Sequence, residues 1–153
     1  MYVTRRAEFS ASHFCRVPGL GEAENRELFG EEANQNGHGH NFIVEVTLEG
    51  EPDPVTGMVI DLKRVKTILE EEVIDPMDHR FLNYEVAPFD RIIPTTPNIA
   101  QEIWRRLESR LTGLDYSLSG VRLFETADLY VEVTRDQNSD LKAEAASTEE
   151  CAA

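Results

Sequence analysis

A chain of 153 residues with 41% hydrophobic content is sized for one domain with a full core. Its 29 acidic against 15 basic residues leave a formal net charge of −14, which argues against nucleic acid or an anionic membrane as partner, since both require a basic face. No apolar run approaches the roughly 18 residues of a membrane span, the N-terminal residues lead into a strand pattern rather than a signal peptide, and the cysteines Cys15 and Cys151 imply no disulfide framework, so a cytoplasmic location is expected.

Residues 2–12 read as a strand that ends at His13. Residues 40–49 read as a second, because Phe42, Val44, Val46 and Leu48 alternate with Ile43, Glu45 and Thr47 and leave one face fully apolar. A turn-rich link, Glu51-Pro52-Asp53-Pro54-Val55-Thr56-Gly57, leads to a short strand at Met58-Val59-Ile60. Asp61 can then cap a helix with Leu62, Val65, Leu69 and Val73 on one face, stopped by Asp75-Pro76. A second helix has Thr96 as N-cap, Pro97 at its first position, Ile99, Ile103, Leu107 and Leu111 on its core face, and Gly113 just past its end. Strands at 119–125 and 128–134 complete the folded unit at about residue 135. The remainder, 136–153, carries Asp136, Asp140, Glu144, Glu149 and Glu150 against Lys142 alone, and its composition predicts a disordered acidic tail. The order suits an α+β fold: an antiparallel four-stranded sheet with two helices on one face, its other face covered by oligomerisation.

Chemistry enters at Gly37-His38-Gly39-His40. On an extended backbone side chains at i and i+2 share a face, so His38 and His40 converge, on the parity of the apolar set that follows. Alone, such a pair reads as a chance event on a solvated strand end; His13, at the end of the first strand, and the glycines flanking His38 favour a metal site. Three neutral imidazoles with an open fourth position are the usual grip on a catalytic zinc. Asp78-His79 offers a proton-transfer pair, provided that the backbone turns after Pro76 so that neighbours in sequence can face one another. A cupin is suggested by His38-x-His40-x4-Glu45, but Glu45 has the opposite strand parity and would point away from a metal held by the histidines.

The motifs Phe9-Ser10-Ala11-Ser12-His13, Phe29-Gly30, Asn36-Gly37-His38-Gly39-His40-Asn41, Asp53-Pro54-Val55-Thr56-Gly57-Met58-Val59, Pro76-Met77-Asp78-His79 and Phe124-Glu125-Thr126 resemble, in order and spacing, the 6-pyruvoyl- and 6-carboxy-tetrahydropterin synthases, over about residues 3–134. The resemblance implies zinc on His13, His38 and His40, proton transfer by Asp78 and His79, and a pterin anchored by Glu125 with further contacts at Thr95 and Thr96. A carboxylate suits the anchor, since pterin N3–H and the 2-amino group are parallel donors that one carboxylate accepts together. Also implied are the tunnelling fold, sheets closing into a barrel between subunits, active sites at subunit interfaces and a homohexamer of two trimers.

Glu32 departs from the pattern: it occupies the position of the catalytic cysteine of the pyruvoyl-forming enzymes. A thiol and a carboxylate are different bases, near pKa 8.5 and 4.3 when unperturbed. The expected activity is therefore a zinc-dependent lyase on 7,8-dihydroneopterin triphosphate, with Glu32 as base for retro-aldol cleavage to 6-hydroxymethyl-7,8-dihydropterin. The alternatives are pyruvoyl- or carboxy-tetrahydropterin formation, and a zinc- and pterin-binding protein without turnover. Cys15 shares strand parity with His13 and could bring a thiol to the site from another direction, or be a small buried side chain.

Overall fold

A computed structural model describes residues 1–113 and 115–137. From residue 138 on, the acidic tail expected from composition lies outside the described residues. The elements in chain order are β1 (Tyr2–His13), α1 (Glu22–Phe29) with a 3₁₀ turn at Gly30–Ala33, β2 (His38–Gly50), α2 (Leu62–Leu69) with a π turn at Glu70–Ile74, α3 (Asp75–Met77), β3 (Arg80–Phe81), α4 (Leu82–Glu85), α5 (Thr96–Glu108), β4 (Tyr116–Phe124) and β5 (Tyr130–Thr134).

The strands form one open sheet in the order β3-β1-β2-β4-β5, antiparallel throughout except for the parallel contact of β3 with β1. The expected four strands are present and a fifth is added. In β3, Arg80 and Phe81 lie beside Ala11 and Ser12. A strand this short has no period by which to recognise it in the sequence. Its place comes from the turn before it, where the His79 N–H donates to the Ser10 carbonyl at 2.6 Å and ties the chain to β1.

The alternation in β2 works as the pattern predicts. Phe42, Val44, Val46 and Leu48 are all essentially inaccessible, and Phe9 of β1 stacks on Phe42 with ring centroids 5.2 Å apart. Each such side chain contributes roughly 1.5–3 kcal/mol by leaving water. The helices α2 and α5 cover this face through Val65, Leu69, Ile99, Ile103, Trp104 and Leu107, while Leu111 just beyond α5 is buried as expected. The opposite face carries Thr4, Arg6, Glu45, Thr47, Arg122 and Glu132, joined by a Thr4–Thr47 hydroxyl bond and ion pairs from Arg122 to Glu45 and Glu132. Glu45 thus points away from the histidines, which removes the cupin reading.

Several local expectations are corrected. Met58-Val59-Ile60 is not a strand: Val59 and Ile60 are buried by packing, without strand pairing. Leu62, at the first turn of α2, is 47% exposed rather than core, whereas Asp61 does cap the helix by accepting from the Lys63 N–H. Asp75-Pro76 does not stop the helical path. The π turn resets the backbone hydrogen bonds, Pro76 falls at the start of a new turn where its missing N–H costs little, and extended backbone resumes only at Asp78. Thr95, not Thr96, is the N-cap of α5, so Pro97 is the second helical residue. None of the described helices is long and apolar enough to cross a membrane.

Candidate active site and metal centre

The three histidines predicted to share a site do so. His13 pairs directly with His38 across β1 and β2, and the parity that buries Phe42 turns His40 and His38 to the same side, so the ring centroids of His13 lie 4.5 Å from His38 and 5.4 Å from His40. Glu125, just past β4, joins them, and one ligand atom from each of the four residues lies within 4.8 Å of all the others. Ligands about 2 Å from a common zinc lie within about 4 Å of one another, so modest side-chain adjustment closes the set.

The donors fit a metal. His13 is fully buried, with Nδ1 2.7 Å from the Pro94 carbonyl. That oxygen can only accept, so Nδ1 carries the proton and Nε2 keeps its lone pair for the cluster. Burial pushes the His13 pKa down, which keeps the ring neutral and able to ligate. The buried nitrogens His13 Nε2, His38 Nδ1 and Nε2, and His40 Nε2 have no hydrogen-bond partner in the protein. An unsatisfied buried polar atom costs about 1–3 kcal/mol, and their concentration at one point suits an ion.

Glu125 is 7% exposed and divides its two oxygens. Oε1 stands 3.5 Å from both His13 Nε2 and His40 Nε2, and Oε2 accepts the Thr96 hydroxyl proton at 2.7 Å. This is why Thr96 does not cap α5: its hydroxyl serves a buried carboxylate that would otherwise lack a donor. Thr95 remains at the mouth of the helix, half-buried, without a side-chain cap bond.

Asp78 and His79 meet because the backbone turns as their pairing requires. His79 has φ of 56°, the left-handed region that costs about 1–3 kcal/mol for a residue with a side chain. The reversal brings His79 Nδ1 to 2.7 Å from Asp78 Oδ2, while Asp78 Oδ1 accepts the Ser10 N–H at 2.7 Å. The Ser10 bond, followed by His79, holds the Asp78 carboxyl below its usual range. A carboxylate at Nδ1 leaves Nε2 of the exposed His79 ring as the nitrogen for proton exchange. His79 opens on a cleft of about 730 Å³ that also contains His40, Glu125, Ser10, Ser12 and Arg80.

Glu32 stands outside the imidazole cluster, exposed on the 3₁₀ turn, with its carbonyl accepting the Cys15 N–H at 2.9 Å. Burial first, then the charges of Glu32 and Glu125, push the Cys15 thiol up to about 12. Burial and the neighbouring carboxylates thus disfavour the thiolate of Cys15. Its backbone N–H holds the 3₁₀ turn of Glu32 against the chain just past β1. The sequence carries no local sign of that contact, of Arg80 in the cleft, or of Pro94 as orienter of His13. Only Cys15 offers a signal, through its parity with His13.

Gly37 sets the entry to β2. It has φ of +73°, and a Cβ there would lie 2.6 Å from Phe81 Cζ and 3.0 Å from the His13 carbonyl. Gly37→Ala is expected to cost about 1–3 kcal/mol in chemical denaturation and to displace His38 from the cluster. Wild-type stability in that variant would show that the turn tolerates a side chain.

The sequence profile of the family described as PTPS, 6-pyruvoyl tetrahydropterin synthase, matches residues 2–136. The 6-pyruvoyl tetrahydrobiopterin synthase of Pongo abelii is 45% identical over 125 residues, 81% of this chain and 84% of that protein. The dihydroneopterin monophosphate aldolase of Pyrococcus furiosus is 34% identical over 128 residues, 84% of this chain and 92% of that one. The structure of Caenorhabditis elegans 6-pyruvoyl tetrahydropterin synthase superposes with a TM-score of 0.82 at 36% identity, covering 88% of this chain and 94% of the other. With the match spanning nearly all the described residues and the α+β sheet shared, the chain is an enzyme of the 6-pyruvoyl tetrahydropterin synthase family, built on the tunnelling fold.

Proposed function

We propose that the protein is a zinc-dependent lyase that cleaves the C1′–C2′ bond of 7,8-dihydroneopterin triphosphate and releases 6-hydroxymethyl-7,8-dihydropterin. The observation that carries this reading is the residue on the 3₁₀ turn: Glu32 stands where the pyruvoyl-forming enzymes carry their catalytic cysteine, and Cys15, the only cysteine among the described residues, is buried with its N–H on the Glu32 carbonyl. The group left to act as base at that position is a carboxylate.

Zinc bound to His13, His38 and His40 supplies a Lewis acid that makes an adjacent substrate hydroxyl more acidic. Glu32 removes the proton of the 2′ hydroxyl, C2′ becomes a carbonyl, and the C1′–C2′ bond breaks. The electron pair passes to C1′ and is delocalised through the C6=N5 imine of the ring. His79, its imidazolium supported by Asp78, returns a proton to C1′. The products balance as 6-hydroxymethyl-7,8-dihydropterin and glycolaldehyde triphosphate. Glu125 takes the ring through N3–H and the 2-amino group. That donor edge and the C6 side chain lie at opposite ends of the pterin, so a Glu125 that anchors the ring does not at the same time ligate the metal. Thr95 borders the ring. The open sheet closes with neighbours into a barrel in a homohexamer, in the cytoplasm.

A second reading, formation of 6-pyruvoyl-tetrahydropterin, is favoured by the 45% identity to an enzyme of that name. Mass spectrometry of products from dihydroneopterin triphosphate with zinc-loaded protein separates the two. The hydroxymethyl product with glycolaldehyde triphosphate is expected. Only a pyruvoyl or carboxy product would overturn the cleavage reading, and tight pterin binding without product would make the protein a non-catalytic binder.

A further inference from the structure

An anionic substrate poses a problem for a chain of formal net charge −14, since a triphosphate needs local positive charge. Within one chain, Arg16, Arg26, Lys63 and Arg91 do not provide it at this site. Arg16 is committed to Glu22 at 2.9 Å and to the Ala33 carbonyl at 2.8 Å, and together with Arg91 it borders a different cleft. Arg26 is paired with Glu31, and Lys63 lies beside Met1 and Ile60 in another depression. Among the described residues lining the cleft shared by His40, His79 and Glu125, Arg80 alone carries a permanent positive charge.

We propose that Arg80 is the phosphate-recognition residue of this cleft, exchanging its contact with Glu85 for a phosphoryl group on the substrate's side chain. The inference rests on the reading that the substrate is a phosphorylated dihydropterin. Its place in the fold is fixed by the β3–β1 contact, which sets the Arg80 backbone beside Ala11, two residues from His13. The chemistry of the substrate asks for a cation there. If the 1′ and 2′ hydroxyls face the imidazole cluster, the phosphate ester on the next carbon is still within the same cleft.

The Arg80–Glu85 pair is built to be given up. Arg80 Nη1 reaches Glu85 Oε1 at 3.3 Å, a long single contact between two exposed side chains. Glu85 does not depend on it: its other oxygen accepts the Phe81 N–H at 2.6 Å, the first cause of its lowered pKa. When the guanidinium swings away, Glu85 stays bonded to backbone and ionised, with water replacing the lost contact. A phosphate offers Arg80 two parallel, charge-assisted bonds in return, a geometry that its planar fork matches and an ammonium does not. Glu85 also weakens phosphate affinity by its own charge, which favours release of the phosphorylated fragment.

The test compares kcat/KM, read as substrate disappearance with metal-loaded full chain, for dihydroneopterin triphosphate, its monophosphate and unphosphorylated dihydroneopterin. In Arg80→Gln the ratio of phosphorylated to unphosphorylated kcat/KM is expected to fall about tenfold to hundredfold, the scale of a lost charged hydrogen bond. Arg80→Lys should recover only part of it, Glu85→Gln should raise the ratio, and inhibition by inorganic triphosphate should weaken in Arg80→Gln alongside the ratio. The monophosphate and triphosphate arms separate recognition of the ester phosphate from recognition of the terminal phosphates. An unchanged ratio in Arg80→Gln, including one in which all three substrates weaken equally, overturns the proposal. Substrate disappearance is indifferent to which product forms, so failure of the retro-aldol reading leaves this result interpretable. Should no substrate turn over, calorimetric affinities for the three compounds supply the same ratio, and an unchanged value in Arg80→Gln again overturns the proposal.

Discussion

Glu32→Gln is expected to slow consumption of dihydroneopterin triphosphate by about 10²- to 10⁴-fold, the usual worth of a positioned general base, with metal content unchanged. The amide keeps the shape of the side chain, and the Glu32 carbonyl that accepts the Cys15 N–H is left in place, so the loss reads basicity rather than folding. Because Glu32 lies outside the imidazole set, its removal subtracts no ligand. Glu32→Cys is the sharper variant: a thiol at that position should divert product toward the pyruvoyl or carboxy compound. The variant adds a second thiol on the turn bonded to the Cys15 backbone, so the measurement is made under reductant and repeated in a Cys15→Ala background. Hydroxymethyl product at an undiminished rate in Glu32→Gln would remove Glu32 from the chemistry.

The parts of this molecule that were legible in the sequence obey local periods. Strand parity placed Phe42, Val44, Val46 and Leu48 in the core and put His38 and His40 on their side, and both followed because a side chain's face on a strand depends only on its count along the chain. The core face of α5 was legible for the same reason. The errors lie where a distant partner outweighs the local signal. Thr96 looks like a cap next to Pro97, but its hydroxyl belongs to Glu125 on the far side of β4. Arg80 and Phe81 look like the start of a loop, but the left-handed turn at His79 and the bonds to Ser10 make them a strand. Met58-Val59-Ile60 has the apolar character of a strand because it packs on the core without pairing. The same limit hid the Glu32–Cys15 contact: each residue was visible alone, and only the fold brings the 3₁₀ turn against the end of β1.

Replacing a single imidazole should have the other large effect, and it separates the metal from the scaffold. His38→Gln is expected to reduce bound zinc from one ion per chain to near zero and to abolish turnover, with little cost to the unloaded fold, since His38 is half-buried and neither of its ring nitrogens bonds to protein. His13→Ala should lose zinc as well but also destabilise the unloaded chain. Its ring is fully buried, packs 5.8 Å from Phe42 and is tied to Pro94, so truncation leaves a cavity and strips a carbonyl of its donor. Thermal unfolding with and without zinc reads both effects. An ion that binds only the folded wild type, present at 100 times its dissociation constant, adds about 2.7 kcal/mol, which for a chain of this length raises the Tm by several degrees, at about 2–4 °C per kcal/mol. The shift should vanish in His38→Gln while its zinc-free Tm stays near that of zinc-free wild type. A full zinc-dependent shift in His38→Gln would mean that the ion is held elsewhere, and that the cluster of unpartnered nitrogens has another purpose.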